Sequence, residues 1–317
     1  MAPADGQLIV GARGSPLSRA QSLAVIEALV AANPGLEASF IAVRTSGDDL
    51  TVKPLSGPGL KGLFVREIET ALSAGRLDLA IHSAKDLPAE RPPDLAPGPV
   101  PLRAPAADAL AAADGLTLET LPTGAVVATS SLRRRAQILA FRPDLVVAPV
   151  RGNVGTRLEK LRRGEFQALI LAQAGLTRLG LDVPTQILPP EIMLPAPGQG
   201  LLALERRSDD AHVAALAAPL DHPPSRLALT AERAFARRLD AGCSAPTAAW
   251  ARFEGRRLVM TVLAAEVDGR RLLKAEDGLA EPDDSAAAEL GRSLAENLLA
   301  RGAGRLVEQA VTKGFFF

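Results

Sequence analysis

Groups that bind negative charge are concentrated in residues 125–163, at two successive strand-to-helix turns. In the first, the apolar run Ala125–Ala128 breaks at Thr129, and Leu132–Phe141 has the spacing of an amphipathic helix. In the second, Leu145–Val150 is the predicted strand and Val154–Arg163 the predicted helix. Helix N-termini present unpaired N–H groups and partial positive charge, which favour carboxylates and phosphates. The hydroxyl, amide and guanidinium side chains at these turns are Thr129, Ser130, Ser131, Arg133, Arg134, Arg135, Arg151, Asn153 and Arg157.

The two turns are expected to form one site, because the carboxyl ends of parallel strands open at the same edge of a sheet. Arginine pairs with carboxylates and phosphates in a bidentate manner, so the pattern predicts a ligand with several such groups. The alternative is that the arginines coat a solvated helix face, which we favour for Arg162 and Arg163, late in their helix. For the arginines within the turns we favour ligand binding, since functional residues gather in such connections.

A third turn of the same kind follows the predicted first strand, Gln7–Gly11. Arg13 and Ser15 precede a long helix that extends to about Ala32, with Pro16 at an early helical position. Arg13 and Ser15 therefore join the predicted anion-binding residues.

A base and an acid, Lys85 and Asp86, follow closely after the predicted buried strand Leu77–Ile81. Burying charged groups beside such a strand costs free energy, so they usually form an ion pair or take part in the function of the protein. Adjacent residues on an extended segment point to opposite sides, which disfavours the alternative of a Lys85–Asp86 surface pair. The sequence thus indicates a site role for at least one of them, and we favour Asp86.

The only cysteine, Cys243, lies in the stretch AGCSAP. A lone cysteine is more often a small buried hydrophobe than a reactive group. The flanking Gly242 and Pro246 suit an exposed loop in which a thiol can be alkylated. No histidine lies nearby in the sequence to activate it. The residue by itself favours the structural interpretation.

Composition excludes several classes of protein. The 317 residues carry 36 basic and 36 acidic side chains and only 3% aromatics, which disfavours an arginine-rich nucleic-acid module. The start of the chain lacks a signal-peptide pattern and no window is apolar enough to cross a membrane, so we expect a cytoplasmic protein. The three histidines and one cysteine show no metal-ligand spacing, and no nucleotide-binding loop is present.

The predicted elements indicate three units. Strands alternate with helices as far as about Pro197, and the proline-rich crossovers Arg91–Pro105 and Leu188–Gly200 flank the second block. Within that block, the small residues Ala172–Gly175 after the predicted strand Ala168–Leu171 are predicted as a turn. This pattern predicts two α/β lobes with a ligand in the cleft between them. From Asp221 a helix to about Leu239 leads into a small α+β unit. Its predicted strands are Thr247–Phe253, Arg257–Ala264 and Arg271–Glu276.

Six stretches, in order, resemble the porphobilinogen deaminase (hydroxymethylbilane synthase) family: GLKGLFVREIE, AIHSAKDLP, ATSSLRRRAQ, VRGNVGTRL, LPAPGQG and AGCSAP. The resemblance extends from about Leu8 to about Ala303. It implies a transferase of tetrapyrrole (haem) biosynthesis. Such an enzyme joins four porphobilinogen molecules head to tail on a covalently bound dipyrromethane cofactor, releasing ammonia, and then hydrolyses the product to hydroxymethylbilane.

The resemblance also implies the fold: two periplasmic-binding-protein-like (type II) α/β domains with a double crossover, and a small C-terminal α+β domain. The expected boundaries are 1–101 with 198–219 for domain 1, 102–197 for domain 2 and 220–317 for domain 3. Domain 3 carries the cofactor cysteine. A monomer without metal, membrane or nucleic-acid partners is expected.

Residue roles follow from the same resemblance. Cys243 becomes the thioether attachment point of dipyrromethane, which reverses the interpretation drawn from the residue alone. Asp86 becomes the catalytic carboxylate, placed near the pyrrole nitrogens. The expected cofactor-binding residues are Cys243, Lys85, Asp86, Thr129, Ser131, Arg133 and Arg134, and the expected substrate-binding residues are Arg13, Ser15, Arg151, Arg157 and Gln199.

Some positions depart from the family pattern: Ala12 and Gly14 beside Arg13, Gly57, Ala104–Ala107, and Ser244. The main alternative function is a non-catalytic two-lobed binding protein for an acidic solute. Such a protein shares the arginine-rich cleft but needs neither Cys243 nor Asp86, so those two residues separate the two functions.

Overall fold

A computed structural model describes residues 7–46, 65–88, 90–112, 115–240 and 245–312 of the chain. Within these ranges the strands form two five-stranded sheets and one three-stranded sheet. In chain order the strands are β1 (Gln7–Arg13), β2 (Glu37–Val43), β3 (Leu79–Ser83), β4 (Leu95–Pro97), β5 (Asp108–Ala112), β6 (Val126–Ala128), β7 (Val146–Ala148), β8 (Ala168–Ala172), β9 (Thr185–Leu188), β10 (Leu202–Arg207), β11 (Thr247–Glu254), β12 (Arg257–Ala265) and β13 (Leu272–Ala280). The α-helices are α1 (Pro16–Ala32), α2 (Arg66–Ser73), α3 (Leu132–Phe141), α4 (Val154–Arg162), α5 (Gln173–Arg178), α6 (Ala211–Ala217), α7 (Pro223–Arg238), α8 (Asp284–Ala300) and α9 (Ala303–Thr312).

The first sheet has the order β2-β1-β3-β10-β4. Strand β1 is parallel to β2 and β3, whereas β10 is antiparallel to β3 and β4. Helix α1 begins with Pro16 in its first turn, and the Ser15 hydroxyl accepts a bond from Ser18 N at 3.2 Å. Its buried Val25 and Leu29 pack in one core cluster with Val10 of β1. The predicted strand and long helix are confirmed.

The second sheet has the order β7-β6-β8-β5-β9. Strands β6, β7 and β8 are parallel, which confirms that the two arginine-rich turns leave the same edge, while β5 is antiparallel to β8 and β9. The apolar run of β8 is buried on both faces, as is usual for a central strand. The turns after β6 and β7 therefore open side by side.

The third sheet is the antiparallel meander β11-β12-β13, covered by α7 and α8. Its core joins Phe235 of α7, Met260 of β12 and Leu298 of α8, each fully buried. Together the three sheets confirm the predicted fold class of two α/β domains and a small α+β domain. The expected domain boundaries stay a prediction. No helix in the described ranges has the length and apolar character needed to cross a membrane.

Two local expectations were wrong. The stretch Ala172–Gly175, predicted as a turn of small residues, instead leads into helix α5. Lys85 and Asp86 do not extend the strand before them, because Ala84–Asp86 forms a 3₁₀ turn. Lys85 and Asp86 are therefore not held on opposite sides of an extended segment, as the sequence had predicted.

Candidate functional site

Arg13, Ser15 and Asp86 line one cavity between the first turn of α1 and the end of β3. Its polar wall also includes Gln21, whose Nε2 donates to the Ser83 hydroxyl at 3.2 Å. Asp86 is exposed at the rim, whereas Arg13 and Ser15 are half-buried. The structure thus brings together a carboxylate, a guanidinium and hydroxyl groups that the sequence predicted separately.

Lys85 connects this cavity to the arginines of α3 electrostatically. It is half-buried, and burial lowers its pKa to about 8. The carboxylates of Asp86 and Asp108 act in the opposite direction, and the charges of Arg133 and Arg134 lower the pKa further. Lys85 and Asp86 therefore do interact, contrary to the sequence argument, and Lys85 lies within electrostatic reach of both arginines.

Arg133 and Arg134 both bind Asp108, the first residue of β5. Arg133 Nη1 lies 2.7 Å from Asp108 Oδ2, and Arg134 Nη2 lies 2.7 Å from Oδ1. All three side chains are buried, with exposed fractions of 3%, 7% and 0%. Burial alone would raise the pKa of Asp108, but the two guanidinium groups outweigh it and hold that pKa well below its usual range. Asp108 keeps the paired cations in the protein interior.

Sequence reasoning missed Asp108. The available signal was a carboxylate at the start of a buried apolar strand, DALAA, which is costly without a partner. Its partners come from α3, and Gln199 joins them by donating from Nε2 to Asp108 Oδ1 at 2.9 Å. Gln199, expected to bind substrate, thus lies in the arginine cluster.

One donor of this cluster is unused. Arg133 Nε is buried and has no hydrogen-bond partner within the ranges that the structure describes. Arg133 Nη1 also donates to Leu194 O, and Arg134 Nη1 donates to Ile170 O at 2.9 Å. An orphaned guanidinium N–H near Lys85 is a fitting donor for a carboxylate or phosphate oxygen.

Thr129 and Ser131 shape the start of α3. The Thr129 hydroxyl oxygen accepts from Ser131 N at 3.2 Å, and the Ser131 hydroxyl oxygen caps the helix by accepting from Arg134 N at 3.4 Å. Both contacts use the oxygens as acceptors, so the hydroxyl hydrogens are still able to donate to an anion.

Arg151 and Arg157 lie at the start of α4, where Asn153 Oδ1 accepts from Thr156 N at 2.9 Å. Arg157 is half-buried, and its pKa is lowered by burial and by the charge of Arg134. Its Nε donates to Gly152 O at 2.8 Å. The cations of the two turns are therefore close enough to repel, which favours an anion between them.

The two α/β domains meet beside these residues. A Cβ placed on Gly175 of α5 would lie 3.7 Å from Leu17 Cδ2 of α1 and 3.9 Å from Val154 Cγ2 of α4. The first turns of α1 and α4, which follow Ser15 and Asn153, thus pack against the same residue of α5. On α5, the half-buried Arg178 donates to Gly200 O at 2.8 Å. Sequence reasoning missed Arg178 because its helix was predicted as a turn.

The second crossover contacts residues from each of the three domains. Gly198 has φ +75, and a Cβ there would lie 2.9 Å from Lys85 N. Its own N–H donates to Glu232 Oε2 at 2.6 Å, and Glu232 also pairs with Arg103 Nη1 at 2.7 Å. Cys243 lies outside the described residues, in the connection between α7 and β11.

Comparison with known proteins identifies two matching family models. One, described as "Porphobilinogen deaminase, dipyromethane cofactor binding domain", matches residues 8–215, and the other, its C-terminal domain, matches residues 226–300. A porphobilinogen deaminase of Roseiflexus castenholzii is 48% identical over 301 residues, covering 95% of this chain and 98% of the relative. One of Desulforudis audaxviator is 46% identical over 302 residues, covering 95% and 97%. Among solved structures, the probable amino-acid ABC transporter extracellular-binding protein ytmK of Bacillus subtilis aligns with a TM-score of 0.41 at 11% identity, covering 66% of this chain and 87% of that one.

Proposed function

The chain belongs to the porphobilinogen deaminase family, and on that premise we propose that it joins four porphobilinogen molecules head to tail on a covalent dipyrromethane. Ammonia leaves at each addition, and hydrolysis then releases hydroxymethylbilane for tetrapyrrole biosynthesis. One observation carries this proposal. Asp86 lines a cavity with Arg13 and Ser15, while the preceding residue, Lys85, lies within electrostatic reach of the buried arginines of α3.

The residues present fit a dipyrromethane, whose two pyrroles each carry an acetate and a propionate. When bound, it supplies the free α-carbon to which the first porphobilinogen is joined. We propose that Cys243 holds it through a thioether. Its carboxylates would be held by charge-assisted bonds, for which the orphaned Arg133 Nε and the Lys85 ammonium are suited. The cofactor-binding set proposed is Cys243, Lys85, Asp86, Thr129, Ser131, Arg133 and Arg134.

Asp86 is proposed as the catalytic residue. Positive charge develops on the substrate's pyrrole as its amine leaves, and a proton must later be removed from the carbon that has formed the new bond. An exposed carboxylate at the rim of a half-enclosed cavity can stabilise that charge and accept that proton. A unit charge pair ~4 Å apart at an effective dielectric constant of ~20 contributes about 4 kcal/mol, or roughly a thousandfold in rate.

Incoming porphobilinogen is proposed to bind through its two carboxylates to Arg13, Ser15, Arg151 and Arg157. The support is that the first turns of α1 and α4, which lie next to these residues, both pack against Gly175 of α5. Gln199 is proposed to contribute by supporting Asp108. The monomeric state, the lack of a metal and the cytoplasmic location stay predictions.

The test is the intact mass of the purified protein and of Cys243→Ala. We expect the wild-type mass to exceed that of the polypeptide by two linked pyrroles and to increase stepwise with porphobilinogen. Cys243→Ala should have the mass of the polypeptide alone and should not change with substrate. A wild-type mass that matches the polypeptide before and after incubation with substrate would contradict the proposal and leave the two-lobed binding protein as the better function.

A further inference from the structure

The turn between β12 and β13 rests directly on α3. Gly269, within this β12–β13 turn (residues 266–271), has φ +76. A Cβ placed there would lie 2.4 Å from Ala140 N and 2.6 Å from Ala136 O. Such distances are far below van der Waals contact, so the turn and the helix touch backbone to backbone. Only glycine permits this approach.

Apolar side chains flank the backbone contact on both sides. Val267 of the turn forms one cluster with Leu132 at the start of α3 and Ala310 of α9. A second cluster joins Ala136 of α3 to the third sheet and to the second crossover. Its other members are Leu194, Ala248, Leu263 and Ala265, with Trp250 packed against them.

Helix α3 therefore contacts the third domain with one face and Asp108 with side chains on its other faces. Leu132, Ala136 and Ala140 recur at intervals of four residues and form the stripe that meets the third domain. Arg133 and Arg134 project from the adjacent faces to Asp108. Because a helix moves as a rigid element, any displacement of the first stripe is transmitted to both arginines.

We propose that the β12–β13 turn positions α3, so that the third domain sets where Arg133 and Arg134 stand relative to Lys85. Gly269 and Val267 are positioning residues, since they contact α3 and are not among the described residues that line the cavity. This inference rests on the proposed function, in which one ligand is held by a thiol of the third domain and by the arginines of α3.

A ligand anchored at two points requires a fixed distance between them. In the chain Cys243 lies between α7 and β11, whereas the arginines lie on α3. The backbone contact at Gly269 is the spacer that fixes α3, which carries the arginines, against the third sheet, which follows Cys243 in the chain. A misplacement of about 1 Å can reduce an enzyme's rate by as much as about 100-fold, so loosening this spacer should be visible in turnover.

Val267→Ala tests the apolar part of the contact, with Val259→Ala as its matched control. Val267 and Val259 have exposed fractions of 6% and 5%, and both lie on or next to β12. Among the described residues, Val259 belongs to none of the apolar clusters that include residues of α3. We expect kcat/KM for porphobilinogen to fall at least fivefold in Val267→Ala and to stay within twofold of wild type in Val259→Ala, although both lose a similar amount of stability.

Gly269→Ala tests the backbone contact, with Gly255→Ala as its control. Gly255 lies in the β11–β12 turn at φ +60, and a Cβ there would have no atom of the described ranges within 4 Å. Both substitutions introduce the same strain at positive φ, but only Gly269→Ala displaces α3. We expect a larger fall in kcat/KM for Gly269→Ala than for Val267→Ala, and wild-type kinetics for Gly255→Ala.

Hydrogen exchange of the α3 amides supplies a readout that does not depend on activity. We expect faster exchange across residues 135–141 in Val267→Ala and no change in Val259→Ala. Equal kinetics and equal exchange in these two variants would overturn the proposal, whatever happens to Gly269→Ala. If wild type, Val259→Ala and Gly255→Ala all lacked turnover, the proposed function would fail instead, and the exchange of α3 would still decide whether the turn positions the helix.

Discussion

Replacing Asp108 by asparagine should lower the free energy of unfolding by about 3–5 kcal/mol, because it leaves two buried guanidinium groups without a counter-charge. The carboxylate accepts from Arg133 Nη1 and Arg134 Nη2, both at 2.7 Å, and from Gln199 Nε2 at 2.9 Å. Asparagine keeps the shape but retains a single acceptor oxygen, and its NH₂ group faces an arginine donor. Against a total stability of about 5–15 kcal/mol for a typical domain, the loss should be large.

Urea unfolding provides the assay. The only tryptophan, Trp250, packs against the cluster that contains Ala136 of α3, so its emission reports on that interface. Coincident transitions by emission and far-UV circular dichroism would justify two-state analysis, and the midpoints can then be compared at constant m. The control is Glu281→Gln, the same chemical change in an exposed pair with Arg256 at 2.5 Å, which should cost less than about 1 kcal/mol.

The pH dependence of this difference has a definite sign. The folded-state pKa of Asp108 lies below the unfolded value of about 3.9. Its contribution is therefore complete above about pH 5 and is lost as the pH falls through the folded-state value. The free energy of unfolding of the wild type should exceed that of Asp108→Asn by a constant amount from pH 5 to 7. This difference should decrease below about pH 4. A loss no greater than that of Glu281→Gln at pH 7 would refute the reasoning.

Three further outcomes are expected. Because burial lowers the pKa of Lys85 to about 8, the charged fraction of its side chain should fall about tenfold between pH 7 and pH 9. Initial-rate measurements should show kcat/KM falling over the same range. Lys85→Arg stays charged and should remove this pH dependence. Asp86→Ala should lose turnover by roughly a thousandfold while intact mass still shows the bound cofactor, and normal turnover would contradict its catalytic role. Glu232→Gln leaves Arg103 without its buried partner and weakens the hydrogen bond from Gly198 N. Thermal unfolding should therefore show the free energy of unfolding lowered by about 3–5 kcal/mol. A decrease below about 1 kcal/mol would contradict the importance of this junction.

Sequence predicted the features whose causes are local. The bounds of α3 were predicted as the structure has them, since the Ser131 cap and the apolar spacing of Leu132–Phe141 are encoded within a few residues. The arginine-rich turns followed from the same reasoning. The prediction that the two turns lie close together in space depended on the parallel pairing of β6 with β7, which the structure has.

Features that depend on distant partners were not accessible from the sequence. Asp108 begins a strand whose neighbours, β8 and β9, lie far along the chain, and nothing local shows that two arginines neutralise it. Lys85 and Asp86 were expected on extended backbone, whereas the chain turns there, where Ala84 N donates to Leu201 O at 3.0 Å. That acceptor directly follows the second crossover, and no local pattern reveals the contact. The roles of Cys243 and the other proposed site residues stay predictions.

Strand β10 completes the first sheet only after every strand of the second sheet has been synthesised. His82 of β3 pairs with Ala203 of β10, and the whole second sheet, ending at Leu188, is translated between them. The second domain can therefore close its sheet on the ribosome while the first still exposes an unpaired edge of β3. Domains generally fold as units during synthesis. A nascent chain that exposes Leu188 but not yet Leu202 outside the ribosome should thus hold a finished middle domain and an unfinished first one, an inversion of the usual order from the N-terminus onward.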